Sequence, residues 1–310
     1  QGGQIMQESI YGNMKVGIVH FKAYPECVNG DGPVLETITK IAEDAFFTAI
    51  EVGAIKDVKV RTEVAKILDI AGIEVAYATQ PTLFPAKLSL CSLDKAERHK
   101  ALNAVFNCLK QAYDVGATAI RIPSGKDPGP EKREEAKKVL IDSLSQILEK
   151  AKEFGNPLVT LKIFDRLYDK EALIGPVDDA LDIAEALCPS YENFGLLTDL
   201  SHFPLLHEDP AETLPKLQKY VKAFHIGNCV YKDRLHPCYG DLQPRFGVEG
   251  GEVDIPMLSK YYRILKDLNL IGPDKLPIIS AEVRPLLPME TSELIIANCK
   301  RAIQQAWALA

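Results

Sequence analysis

Charged and imidazole side chains stand at the ends of four apolar runs in this chain: LKIFD (161–165), TDLSH (198–202), FHIGN (224–228) and SAEVR (280–284). Asp, His and Glu offer the lone pairs that bind a divalent ion, and an ion beside a carboxylate suits removal of a proton α to a carbonyl. Glu282 lies in the run PIISAE (277–282), where period-2 alternation places Ile278, Ser280, Glu282 and Arg284 on one face. An ionised carboxylate there needs a cation or several donors to offset its desolvation. A buried salt bridge, to Arg284 or another cation, is the structural alternative to a metal-binding or catalytic Glu282. Asp199 ends a second run, His202 follows three residues later, and His225 ends VKAF (221–224). Each alone also reads as a helix cap, a loop histidine or a core histidine. Their recurrence at the ends of three successive runs points to one site. Asp199, His225 and Glu282 are therefore candidate ligands for Mn²⁺, Mg²⁺, Co²⁺ or Zn²⁺, with Glu282 also the candidate base. The lack of thiolates at matching positions argues against a structural zinc.

The elements that would position them alternate along the chain. Apolar runs at 15–21, 49–55, 74–80, 118–124, 158–165, 194–200, 221–227 and 276–283 read as strands. Amphipathic segments at 35–48, 57–71, 94–114, 131–154, 177–188, 210–219, 256–269 and 290–308 read as helices, the sixth interrupted by Pro215. Asp94 and Pro130 are expected helix starts; Gly116, Gly155 and Gly272 are expected C-caps. Eight strands alternating with eight helices predict an α/β fold, a single (β/α)8 TIM barrel, whose carboxyl strand ends build the active site. Neither G-x-G-x-x-G after the first strand nor G-x-x-x-x-G-K-[ST] occurs, which disfavours a nucleotide-binding open sheet. Two long connections, 81–93 and 228–255, are expected to cover or line the site.

Composition narrows the rest. The chain has 310 residues, is 46% hydrophobic, and carries a net charge of −7, which makes nucleic-acid or anionic-membrane binding a poor expectation. Six His in total are too few for a trinuclear nuclease centre. Seven scattered Cys without a C-x-x-C read as reduced thiols of a cytoplasmic protein. No stretch has the length of apolar residues a membrane span needs. Residues 1–14 are expected to be a flexible leader or expression remnant and 15–310 the barrel domain. Assembly into a homo-oligomer stays open.

Taken together, AIEVG (49–53), DLSH (199–202), FHI (224–226), GGEVD (250–254) and AEVR (281–284) resemble the sugar phosphate isomerase/epimerase superfamily of xylose-isomerase-like barrels. In ketose 3-epimerases of that superfamily, Glu, Asp, His and Glu from strands 5 to 8 hold a metal, and the two Glu act as acid/base groups on opposite faces of the sugar. The resemblance implies a carbohydrate substrate, metal ligation by Asp199, His225 and Glu282, and substrate contacts from His202 and Arg234. His20, Glu51, Asp165, Arg166, His236 and Arg284 are further substrate-binding candidates.

Strand 5 departs from the pattern. Where the family reads roughly Leu-Glu-x-x-Asn-Arg, this chain has LKIFDR (161–166), which puts Lys162 at the Glu position, Asp165 at the Asn and Arg166 at the Arg. Three readings follow: a metal on three ligands with Lys162 as a lowered-pKa acid/base beside Asp165, an ammonium standing in for the metal, or a degenerate, binding-only barrel. The expected chemistry is isomerisation or epimerisation by proton abstraction α to a carbonyl. Elimination from a keto-sugar or 3-oxo-glycoside is the alternative, since it shares the first step.

Overall fold

The structure is a computed structural model that describes residues 8–310. Eight parallel strands pair in sequence order and close into a barrel. They are β1 (Lys15–Val19), β2 (Ala49–Val52), β3 (Glu74–Ala78), β4 (Ala119–Pro123), β5 (Leu158–Lys162), β6 (Phe194–Asp199), β7 (Val221–Gly227) and β8 (Ile278–Glu282), with β8 closing on β1. The crossover helices are α1 (Val34–Ala42), α2 (Val58–Ala71), α3 (Lys95–Asp114), α4 (Arg133–Ala151), α5 (Val177–Leu187), α6 (Pro210–Leu217), α7 (Ile255–Asp267) and α8 (Ser292–Ala308).

All eight expected strands and helices are present, but several strands end sooner than their apolar runs. At His20, Gln80 and His202 the chain turns into single helical turns, His20–Ala23, Gln80–Leu83 and His202–Leu206. Asp94 caps α3 by accepting from the Ala96 and Glu97 amides, and Pro130 opens a 3-10 turn before α4. Gly116 and Gly155 take positive φ just after α3 and α4. Gly272 does not cap α7, which ends at Asp267; it pairs with Lys275 and donates to Asn13 O. The described part of the expected leader is not loose: Ile10 and Met14 are buried, and the Trp307 indole donates to Glu8 O at 2.8 Å. Residues 1–7 lie outside the described residues.

Alternation along each strand sorts the side chains into two populations. Outward-facing Ile18, Ile50, Tyr77, Ile120, Leu161, Leu196, Phe224 and Ile279 join the helices in one continuous apolar core. Inside the barrel, Ala49, Ala76, Ala119 and Ile278 form a separate small apolar floor. Two residues further along the strands stand Glu51, Arg121, Ser280 and, at the carboxyl ends, Lys162, Asp199, His225 and Glu282, all buried.

Candidate active site

Lys162, the last residue of β5, sends its ammonium to the point where the expected ligands converge. Nζ lies 2.6 Å from Glu282 Oε1, 3.0 Å from Asp199 Oδ2 and 2.9 Å from His225 Nδ1. His225 Nδ1 is also 2.8 Å from Glu282 Oε1, and its Nε2 is 2.9 Å from Glu51 Oε2. Arg121 closes the far side, with Nε 3.5 Å from Glu51 Oε2 and a guanidinium N–H donated to Thr160 Oγ1 at 3.1 Å. None of these six ionisable residues is more than 2% exposed.

Burial opposes charge here; the neighbours outweigh it at Lys162, His225, Glu282 and Glu51, whereas at Arg121 desolvation prevails and lowers the pKa. The Lys162 pKa is raised despite desolvation, by Glu282, Asp199 and Asp241. His225 is raised against burial by Glu51 and Glu282, although Lys162 opposes this. The His225 Nε2 faces Glu51, while Nδ1 is shared between Glu282 Oε1 and the Lys162 ammonium. Glu282 falls well below the usual carboxylate range against desolvation, through Lys162, Lys22 and His225. Glu51 is lowered likewise by His225 and Arg121. Three carboxylates thus meet two basic side chains, Lys162 and Arg121, and the imidazole of His225.

Glu282 divides its two oxygens. Oε1 is held by Lys162 and His225, while the ion-pair partner of Oε2 among the described residues is Lys22, 3.8 Å away. Lys22, Lys162, Glu282 and Arg284 line a cavity of about 250 Å³ whose walls include Phe21, Phe84 and Phe164. Phe84 belongs to the 81–93 connection, which covers the site as expected. The Arg284 amide donates to Gln243 O at 2.8 Å. Its guanidinium has no hydrogen-bond or ion-pair partner among the described residues.

A second buried cluster adjoins the first. Lys170 Nζ sits 3.0 Å from Asp241 Oδ2 and 2.6 Å from Asp169 Oδ2. His202 Nε2 is 3.6 Å from Asp241 and 3.9 Å from Asp199, and Nδ1 is 3.9 Å from Asp165. Gln243 Nε2 reaches Ser201 Oγ at 3.0 Å and Asp241 Oδ1 at 2.5 Å, and Ser201 donates in turn to Asp199 Oδ1 at 2.8 Å. Gln243 can lie against β7 because residue 227 is glycine: a Cβ there would come 1.8 Å from Gln243 Oε1.

Several expected substrate contacts lie elsewhere. Asp165 is not an ion-pair partner of Lys162; its carboxylate accepts the amides of Tyr168, Asp169 and Lys170, folding the turn that carries Lys170 inward. Arg166 is drawn to Asp179 at 2.7 Å and to the Leu173 carbonyl. Arg234 is exposed. His236 accepts the Cys238 amide at 3.1 Å within its own loop. His20 is buried against Thr37, 2.8 Å from Oγ1, and burial lowers its pKa to about 3. Thr37 donates its own hydroxyl proton to Pro33 O, so His20 Nε2 is the donor. Glu51 contacts His225 and Arg121 inside the barrel and does not line the cavity. Sequence reasoning passed over Lys22, Lys170, Asp241, Gln243 and Arg121. Arg121 carried a signal, as a charge inside the strand AIRIP (119–123), and Asp241 and Gln243 lie in the 228–255 connection expected to line the site.

A sequence profile of the xylose isomerase-like TIM barrel family matches residues 40–272. The chain belongs to that family. No curated protein matches it in sequence. Among solved structures of this fold, the IolI protein with a bound zinc atom is 15% identical at a TM-score of 0.72, covering 95% of this chain and 98% of that one. A D-tagatose 3-epimerase-like protein is 16% identical at 0.71, covering 96% and 98%. The 3-keto-D-glucoside 4-epimerase from E. coli is 17% identical at 0.66, covering 94% and 99%. At these identities the likeness is one of fold.

The family implies a metal, and candidate ligand groups are present: atoms of Glu51, His225 and Glu282 lie within 4.8 Å of one another. An ion shared by Asp199, His225 and Glu282 would have to take the place of the Lys162 ammonium. It would also bring two positive charges up to carboxylates that Lys162 and Arg121 already pair with. With Lys162 in position these residues do not fit a divalent ion.

Proposed function

We propose that this barrel is a carbohydrate isomerase/epimerase that removes a proton α to a carbonyl. The observation that carries the reading is the division of Glu282, with Oε1 locked and Oε2 open to the cavity beside an ammonium. Oε2 takes the proton from the carbon. Lys162, held by Glu282 and Asp199 and lining the cavity, presents its positive charge to the substrate oxygen that becomes the enediolate. A preorganised donor aimed at developing charge is worth several kcal/mol of barrier. Phe21, Phe84 and Phe164 exclude water from the reacting face. Arg284 and Lys22 are placed to hold an oxyanionic group of the sugar.

Epimerisation at one carbon by two bases needs a carboxylate on each face of the sugar, and strand 5 supplies lysine instead. A single base can carry a proton between adjacent carbons on one face. Within the proposed class the geometry therefore favours isomerisation between a ketose and an aldose. Elimination of a β-substituent is the second reading, favoured by the same missing carboxylate, since it needs no proton returned to carbon. The test is product analysis by NMR on a panel of free, phosphorylated and 3-oxo sugars, with Glu282→Gln as control. Loss of a positioned base costs about 10²–10⁴-fold. Equal turnover by wild type and Glu282→Gln would place the base elsewhere.

A further inference from the structure

We propose that the Lys162 ammonium replaces both a divalent ion and the strand-5 carboxylate that would bind it, leaving a centre that excludes dications. The inference deepens the functional reading by fixing the electrophile of the same site. It stands first on position: Nζ makes three contacts of 2.6–3.0 Å to the side chains that would otherwise be ligands. Charge gives the second ground. A dication with one carboxylate carries a net charge of +1, and so does one ammonium, so the exchange leaves the cluster's balance unchanged. A retained ion would instead meet a lysine at close range inside the barrel.

The third ground does not depend on any relative. Three groups of acidic and imidazole side chains among the described residues have ion-binding spacing: Glu51–His225–Glu282, Asp165–His202–Asp241 and Glu134–Asp179–Asp182. Each is closed by its own lysine. Lys162 meets Glu282 in the first, and Lys170 meets Asp241 at 3.0 Å in the second. Lys137 meets Glu134, Asp179 and Asp182 at 2.6, 3.1 and 2.5 Å in the third. Backbone geometry holds Lys162 in place, since its strand pairs with both β4 and β6. Its ammonium also lies 4.8 Å from the centre of the Phe164 ring. Swinging it out would strand two buried carboxylates.

The experiment counts ions and uses no substrate. Wild-type protein, Lys162→Glu and Lys162→Gln are stripped with chelator and dialysed against Mn²⁺, Co²⁺ or Zn²⁺. Bound metal is measured by atomic emission and Mn²⁺ affinity by electron paramagnetic resonance. Wild type should hold no ion above background. Lys162→Glu should hold about one per chain, with Mn²⁺ affinity raised roughly 10–100-fold, the scale on which groups around a metal ligand act. Lys162→Gln should show a smaller gain, and it carries the comparison if Lys162→Glu does not fold. One ion per wild-type chain, lost in Asp199→Asn, would overturn the proposal. So would folded Lys162 variants that bind no more metal than wild type. An ion-free wild type that turns over no sugar would defeat the functional reading and leave this one standing.

Discussion

Replacing Lys162 with methionine keeps an unbranched side chain one atom shorter and removes its charge, which tests whether the ammonium holds the barrel's upper layer together. The side chain meets Glu282 at 2.6 Å and Asp199 at 3.0 Å, all three groups being almost fully buried. At an effective dielectric constant of about 20, each contact supplies roughly 5–6 kcal/mol of attraction. Much of that offsets the desolvation of the ions, and removing one partner of a buried pair typically costs about 3–5 kcal/mol. His225 and Gln243 remain to shield the stranded carboxylates, which points to the lower end, about 3 kcal/mol. At roughly 2 °C per kcal/mol for a chain of this size, Tm should fall by about 6 °C. The sign of the pH dependence gives a second readout. In wild type the depressed Glu282 contributes stability above its unfolded pKa and loses it as pH falls. In Lys162→Met the unpaired carboxylates should titrate above their unfolded values, so that variant gains relative stability as pH falls. Calorimetry at pH 7 and pH 5 should show the gap narrowing. A fall of less than about 2 °C that does not change with pH would refute the assigned role.

Two other sites give independent tests. Arg284→Met should weaken binding of D-fructose 6-phosphate and 2-keto-D-gluconate by roughly 10–100-fold, the worth of a charged hydrogen bond, and leave D-fructose unchanged by isothermal titration; a uniform loss across the three would mean Arg284 is structural. His20, held near pKa 3 against an unfolded value near 6.5, should destabilise the protein as pH falls below that unfolded value, by about 2 kcal/mol at pH 5. His20→Gln should flatten that part of the stability profile in urea titrations at pH 7 and pH 5, and an unchanged slope would show that His20 does not stay neutral.

The barrel was legible because its signals are local and repeat. Each strand is a short apolar run, and each helix pattern is bounded by residues such as Asp94 or Gly155 whose backbone roles are specific. The convergence of Asp199, His225 and Glu282 followed from equivalent depth in successive strands, and so did the place of Lys162. Residues delivered by loop geometry could not be read this way. Lys170 is an ordinary turn lysine in sequence; it enters the site only because Asp165 gathers three amides and folds the 165–170 turn inward. Arg234 and His236 share a long polar loop with Asp241, yet that loop turns Asp241 inward and leaves Arg234 in solvent. The protonation of Lys162 was also out of reach of the sequence, because it depends on which charges surround Nζ. A metal beside it would lower its pKa, whereas the carboxylates found there raise it.

The most direct test of the account is α-proton exchange in D₂O by metal-stripped wild-type protein kept in excess EDTA, followed by proton NMR on the best-bound keto-sugar. Exchange should run at an undiminished rate in EDTA and fall by at least about 10²-fold in Glu282→Gln under the same conditions. Exchange that vanishes with chelator and returns with an added divalent ion would contradict it.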